Sequence, residues 1–172
     1  MNYRPSKDEY YVSIAKGISS RSTCRSAKFG AILIKDDQII ATGYNGAPRK
    51  TADCYTRGDC LRRKLNIPSG ERYELCRSIH AEMNCIINAA RSGVSLLGSN
   101  LYIFGLRISG NEEIQINAIP CFICKKMIIN AGIEKVISGG RDNNLLVFEV
   151  DSWADDWTKK DMLDDMDQYD GR

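Results

Sequence analysis

His80-Ala81-Glu82 and Pro120-Cys121-Phe122-Ile123-Cys124 are the two stretches around which this chain is organised. Together they offer one imidazole and two thiolates to a metal. Three such donors leave the fourth position of a tetrahedral Zn²⁺ open, which is the pattern of a catalytic rather than a structural zinc site. Two thiolates neutralise the ion's formal charge, yet the ion still lowers the pKa of a water bound to it. Glu82 sits two residues from His80 and is spare as a ligand, so its carboxylate is free to take a proton from that water and pass it on. A lone CxxC is often half of a structural zinc knuckle, and a lone HxE arises by chance in many helices. The two together carry the reading, because His80 is the only histidine in the chain and falls inside the motif.

Both motifs fall where helices begin. Ser78 opens a pattern that puts Ile79, Met83, Ile86, Ile87 and Ala90 on one apolar face and ends at Gly93. Cys85 belongs to the core of the same helix. A further helix runs from Pro120-Cys121 to Ala131-Gly132, with the proline in the first helical position. Cys121 and Cys124 are then i,i+3 neighbours in its first turn. The partial positive charge at both helix starts favours thiolates.

Upstream, Ser6 and Glu9 read as a capping box, and Tyr11, Ile14, Ala15 and Ile18 follow at helical spacing to about Ser19. Phe29 to Ile34 and Ile39 to Tyr44 read as strands joined by a hairpin turn at residues 35–38. Gly43-Tyr44-Asn45-Gly46-Ala47-Pro48 leaves the sheet as a loop. Residues 49–76 are the least regular part; they are rich in arginine and hold Cys54, Cys60 and Cys76. Further strands are expected at Asn100 to Phe104, Lys135 to Ser138 and Leu145 to Val150. The connection from Gly105 to Ile119 has room for a small hairpin. From Asp151 the chain is acidic, with Trp153 and Trp157 at i,i+4, and reads as a docking helix or a tail. This order predicts an α/β fold in a single domain spanning residues 1–172.

Formal net charge is only +2, which makes no case for a polyanionic partner such as a nucleic acid polymer. The charge is uneven: residues 151–172 carry net −5 and residues 1–150 carry +7. A small anionic substrate would suit the basic body. No apolar run has the length of a membrane span, and the first residues lack the apolar core of a signal peptide. Seven cysteines without an export signal point to reduced thiols, metal binding and a cytoplasmic protein.

H-x-E followed by P-C-x-x-C is the signature of zinc-dependent nucleobase deaminases. With Arg21-Ser22-Thr23-Cys24, Phe29-Gly30-Ala31, Gly43-Tyr44-Asn45-Gly46, His80-Ala81-Glu82-Met83-Asn84 and the run Pro120 through Gly132, the chain resembles the deoxycytidylate (dCMP) deaminases of the cytidine deaminase-like superfamily. The likeness runs from about residue 6 to residue 140. It implies a three-layer α/β/α fold with a central mixed sheet of about five strands. It also implies hydrolysis of dCMP to dUMP and ammonia, which supplies the precursor of thymidylate. In that scheme activated water attacks C4 of the pyrimidine, His80, Cys121 and Cys124 hold Zn²⁺, and Glu82 shuttles protons. Asn45 would hydrogen-bond the sugar or base, its alternative reading being a turn asparagine at positive φ. Arg21, Ser22, Thr23 and Arg25 are candidates for the 5′-phosphate, or members of a solvated polar loop.

Proteins of this kind are commonly hexamers controlled by dCTP and dTTP, with Mg²⁺ accompanying the triphosphate. The resemblance places effector binding at Gly43, Asn84, Asn88 and Arg91; the alternative is a solvated helix edge. Some relatives bind a second, structural zinc, for which Cys24, Cys54, Cys60 and Cys76 are the available thiolates here. Separate buried thiols are the competing reading. Functional alternatives are a deaminase of dCTP, cytidine or transfer-RNA adenosine, or a zinc module without catalysis. An intact Glu82 weighs against the last.

Overall fold

The computed structural model describes residues 4–161. Its first helix, α1 (Lys7–Ser19), starts at a complete capping box, the Glu9 amide donating to Ser6 Oγ at 3.2 Å and the Ser6 amide to Glu9 Oε2 at 2.7 Å. Strands β1 (Ala27–Lys35) and β2 (Gln38–Tyr44) form a hairpin closed by Asp36 and Asp37, with φ of 50° and 63°. Two left-handed residues match the twist of the flanking strands, and aspartate tolerates that conformation. The arginine-rich stretch holds only a one-turn helix, α2 (Leu61–Lys64), and a 3-10 turn at Tyr73–Leu75. Then follow α3 (Ala81–Arg91), β3 (Ser99–Ser109), β4 (Glu112–Gln115), α4 (Phe122–Asn130), β5 (Ile133–Gly139), β6 (Leu145–Glu149) and α5 (Val150–Lys159).

The sheet order is β2-β1-β3-β5-β6, with β1 antiparallel to β2 and β3, β3 parallel to β5, and β5 antiparallel to β6. Strand β3 runs beyond its pairing with β5, which ends at Ile103 opposite Ser138, and β4 fills the overhang from Leu106 to Ser109. The connection from Gly105 to Ile119 is therefore a hairpin. It raises the expected five or so strands to six.

Strand alternation sorts the core into two faces. Ile32, Ile34, Tyr102, Phe104 and Ile137 pack under α1 with Tyr11, Val12 and Ala15. Ala31, Leu33, Leu101, Ile103 and Val136 face α3, α4 and α5. The result is the three-layer α/β/α arrangement that the resemblance implies. Two glycines set how closely the helices approach. A Cβ on Gly30 would lie 2.1 Å from the Ala15 carbonyl oxygen, and one on Gly43 would lie 2.4 Å from both the Ala81 oxygen and the Cys85 nitrogen.

That approach explains two departures from expectation. The buried stripe of α3 is Ala81, Glu82, Cys85, Ile86 and Ala89, while Ile87 and Ala90 are exposed. A helix lying directly on the backbone of β2 presents small residues there, so the expected face holds for Ile86 and the half-buried Met83 but misplaces Ile87 and Ala90. Both helices also start later than expected: His80 caps α3 and Cys121 caps α4, leaving Pro120 outside the helix. At the other end, α5 docks through Val150 and Trp153, whose ring lies 5.8 Å from that of Phe148. The acidic residues from 162 onward lie outside the described residues.

On the α1 face, the Tyr11 hydroxyl donates to Asp37 Oδ1 at 2.7 Å, and the Tyr102 hydroxyl donates to Asp8 Oδ1 at the same distance. The bond to Asp37, aided by burial, pushes the Tyr11 phenol from 10.0 to about 12. A pKa raised by folding contributes stability below the unfolded value and loses it as pH rises toward the folded one. The melting temperature should therefore fall between about pH 10 and 12, and Tyr11→Phe should make that fall shallower; an unchanged slope in a thermal series would contradict it. Gly43→Ala should cost about 1–3 kcal/mol through overpacking, read as a lower midpoint in urea, because α3 must lift off β2.

Candidate metal centre and active site

His80 and Cys121 occupy equivalent places, each ending an extended segment and capping a helix that packs on the same face of the sheet. The segment before His80 is fixed by a two-bond bridge, Ile79 N–H to the Gly46 oxygen at 2.8 Å and Gly46 N–H to the Ile79 oxygen at 3.1 Å. Before α4, the Ala118 amide donates to Gly139 at the end of β5. These anchors bring His80 Nδ1 to 3.3 Å from both Cys121 Sγ and Cys124 Sγ. The three donor atoms all lie within 4.8 Å of one another. Zinc with bonds of about 2.0–2.1 Å to nitrogen and 2.3 Å to sulfur would place tetrahedral N and S ligands roughly 3.5 Å apart. The donor trio fits that ion.

The electrostatics point the same way. Cys121 and Cys124 are buried. A hydrogen bond from the Cys124 thiol, with help from His80, holds Cys121 down to about 4, and the same contact pushes Cys124 up. The pair thus readily keeps one proton between two sulfurs, and a cation seated among them would take that proton's place. Glu82, in the first turn of α3, is only 5% exposed. Burial pushes its carboxyl up against the pull of the His80 charge.

His80, Glu82 and Cys121 line a cavity of about 570 Å³, together with Asn45. Asn45 is buried and has negative φ, so it is not a left-handed turn residue. Its Oδ1 accepts from the Phe29 amide at 2.8 Å and its Nδ2 donates to the Ala27 oxygen at 2.9 Å. One amide hydrogen and one lone pair are left over.

Other expected residues stand elsewhere. Ser22 is buried and its hydroxyl donates to the Asn45 oxygen at 3.1 Å, so it ties the first loop together. Arg21 and Arg25 are exposed, and neither lines the cavity. Gly43 is covered by α3. Asn84 and Asn88 donate to the β2 carbonyls of Tyr44 and Thr42, each at 2.8 Å, while Arg91 faces solvent. Cys24, Cys54, Cys60 and Cys76 all line the cavity, Cys24 and Cys54 buried and the other two half-buried. Among the described residues, no three of those four draw their sulfurs as close as the His80 trio does. Motif reading missed Tyr73, whose ring meets His80 edge-on at 4.8 Å, and the cavity arginines Arg62, Arg63, Arg77 and Arg107. Only the arginine content of residues 49–76 hinted at them.

A family model described as the cytidine and deoxycytidylate deaminase zinc-binding region matches residues 5–139. The deoxycytidylate deaminase of Mycobacterium phage D29 is 35% identical over 139 residues, covering 78% of this chain and 94% of that protein. The deoxycytidylate deaminase of Schizosaccharomyces pombe is 30% identical over 135 residues, again 78% of this chain but only 37% of the yeast protein. Among solved structures, the dCMP deaminase of cyanophage S-TIM5 in complex with dCMP and dUMP superposes with a TM-score of 0.56 at 28% identity. That match covers 80% of this chain and 83% of the phage chain. With its His80, Cys121 and Cys124 donors gathered beside a buried Glu82, the chain belongs to the zinc-binding cytidine and deoxycytidylate deaminase family.

Proposed function

We propose that the chain hydrolyses dCMP to dUMP and ammonia. The observation that carries this is a buried, unliganded Glu82 in the same cavity as the His80, Cys121 and Cys124 donors. A purely structural site has no use for such a carboxylate. Bound by those donors, zinc supplies an activated water near neutral pH. Glu82, shielded from solvent, takes a proton from the attacking water, protonates ring N3 and delivers a proton to the departing amine. Water is consumed and ammonia leaves, so no further reactant is needed. Phe29 and Ile119 give the pyrimidine apolar walls, and Asn45 turns its remaining amide capacity toward the cavity. The choice of dCMP is supported by the names of the phage and yeast relatives and by the ligands held in the S-TIM5 structure.

The same reading extends to a single cytoplasmic domain that assembles as a homohexamer and answers to dCTP and dTTP, with Mg²⁺ on the triphosphate. Exposed Ile39, Tyr44 and Ile87 lie on β2 and α3 beside Arg91, an apolar and cationic edge suited to a subunit contact with an effector in it. No helix among the described residues is long and apolar enough to cross a membrane. A second, structural zinc on Cys24, Cys54, Cys60 and Cys76 completes the proposal. Four thiols lining the same cavity support it, and binding itself would draw them together.

Glu82→Gln should stay folded and zinc-loaded while turnover of dCMP drops by about 10²–10⁴-fold or more. Full turnover in that variant would remove Glu82 from the mechanism. Metal analysis should find two zincs per chain in the native protein. Cys24→Ser combined with Cys54→Ser should lower that to one, with a lower melting temperature and a working deaminase. One zinc in the native protein would dismiss the cysteine clamp and leave the catalytic site standing.

A further inference from the structure

The anchors that place His80 act on its backbone: the bridge between Gly46 and Ile79 ends one residue before it, and α3 begins one residue after it. They leave open the turn of the imidazole about its Cβ–Cγ bond, a torsion whose energy wells are broad and roughly two-fold. That turn decides the metal site. A half-turn of the ring puts Cδ2 where Nδ1 now stands, 3.3 Å from both sulfurs, and a carbon is no ligand. Ligating histidines are therefore held by partners outside the coordination sphere, and losing such a partner weakens metal binding by about 10–100-fold.

Tyr73 stands in that role. Its ring centroid lies 4.8 Å from that of His80, with the two planes at 90°. Rings favour this edge-to-face arrangement because the positive rim of one meets the negative face of the other. Movement of either ring out of the arrangement loses that attraction. The contact thus restrains the imidazole at the position where Nδ1 meets both sulfurs.

The tyrosine is itself firmly placed. It opens the 3-10 turn Tyr73–Leu75, entered through a left-handed Arg72 with φ of 49°. The Leu75 amide donates to the Arg72 oxygen at 3.1 Å, and the Cys76 amide donates to the Tyr73 oxygen at 2.9 Å. The ring packs half-buried against the core cluster under α3 and α4. The Arg62 guanidinium lies over it, Cζ 4.7 Å from the centroid, a cation–π contact. Arg62 Nη2 is tied in turn to the Pro68 oxygen at 2.6 Å. The irregular stretch between β2 and α3, which has little regular structure of its own, is built to deliver one ring to the metal ligand.

We infer that Tyr73 is a positioning residue for His80: its ring, backed by Arg62, holds the imidazole in the orientation that a metal ion requires. The inference rests on the metal-centre reading. The aromatic ring carries the effect, and the hydroxyl is dispensable to it.

The test is nuclear magnetic resonance of the zinc-loaded full chain, in which His80 is the only histidine. Its ring signals report this centre alone, whatever metal the other cysteines hold. In the native protein they should form one sharp set, with an Overhauser contact to the Tyr73 ring protons. Tyr73→Phe should keep that single set, and its zinc affinity should stay within about twofold of native. Tyr73→Leu should broaden or split the set, and its zinc affinity at His80, by competition with EDTA, should be about tenfold lower. A merely structural role would lower the melting temperature and leave the His80 signals and their zinc affinity where they were. Native signals at native zinc affinity in Tyr73→Leu would overturn the inference, as would a Tyr73→Phe variant impaired to the same degree as Tyr73→Leu. If Tyr73→Leu does not fold, the native Overhauser contact and the Tyr73→Phe variant decide, and absence of the first or impairment of the second overturns it. Native His80 signals that do not respond to zinc at all would remove the metal-centre reading and the inference together.

Discussion

Two helix N-caps, His80 and Cys121, and Cys124 in the first turn of α4 bring three donor atoms within 4.8 Å of one another because α3 and α4 are held at a fixed height over one face of the sheet. For α3 the height is set by Gly43, whose missing side chain lets Ala81 and Cys85 rest on the strand backbone. The helix start is then pinned by the paired bonds between Gly46 and Ile79, one residue before His80. Little freedom remains in where the imidazole points. The same constraint buries Glu82 in the first turn of α3, where the cavity is its opening to solvent. Metal donors and proton carrier are thus placed by one packing decision.

That packing makes the electrostatics of the centre what they are. Of the two buried thiols beside the one histidine, Cys124 is pushed toward its neutral form while Cys121 is held down by its hydrogen bond. The buried carboxylate beside them is pushed toward its neutral form as well. A divalent ion held by His80, Cys121 and Cys124 would let both sulfurs carry charge, and water activated there would give Glu82 a partner for proton exchange. The same cavity is lined by Arg62, Arg63 and Arg107 and by the apolar Phe29 and Ile119.

Much of this was legible in the residues because it is local or strictly periodic. The Ser6–Glu9 capping box, the Asp36-Asp37 hairpin and the apolar strands need no tertiary information. The two zinc motifs name their chemistry through residue type and spacing. What escaped depends on contacts distant in sequence. The buried face of α3 follows from close approach to Gly43, which favours Ala and Cys over the larger Ile87. Asn84 and Asn88 read as a polar stripe, yet their amides are taken by β2 carbonyls 40 and 46 positions away. Arg62 and Arg63 reach the cavity from α2 and Arg107 from the end of β3, and neither segment has a period or a motif to announce it. Strand β4 was visible only as room for a hairpin, since four residues carry too little pattern to separate a strand from a loop.

The account stands on an open three-ligand site, and the most direct measurement is anomalous diffraction at the zinc edge from crystals of the native protein. A peak bonded by His80 Nδ1, Cys121 Sγ and Cys124 Sγ, with solvent as the fourth ligand and Glu82 not bonded, is the predicted result. No zinc at that trio, or an ion there closed by a fourth side chain, would contradict it.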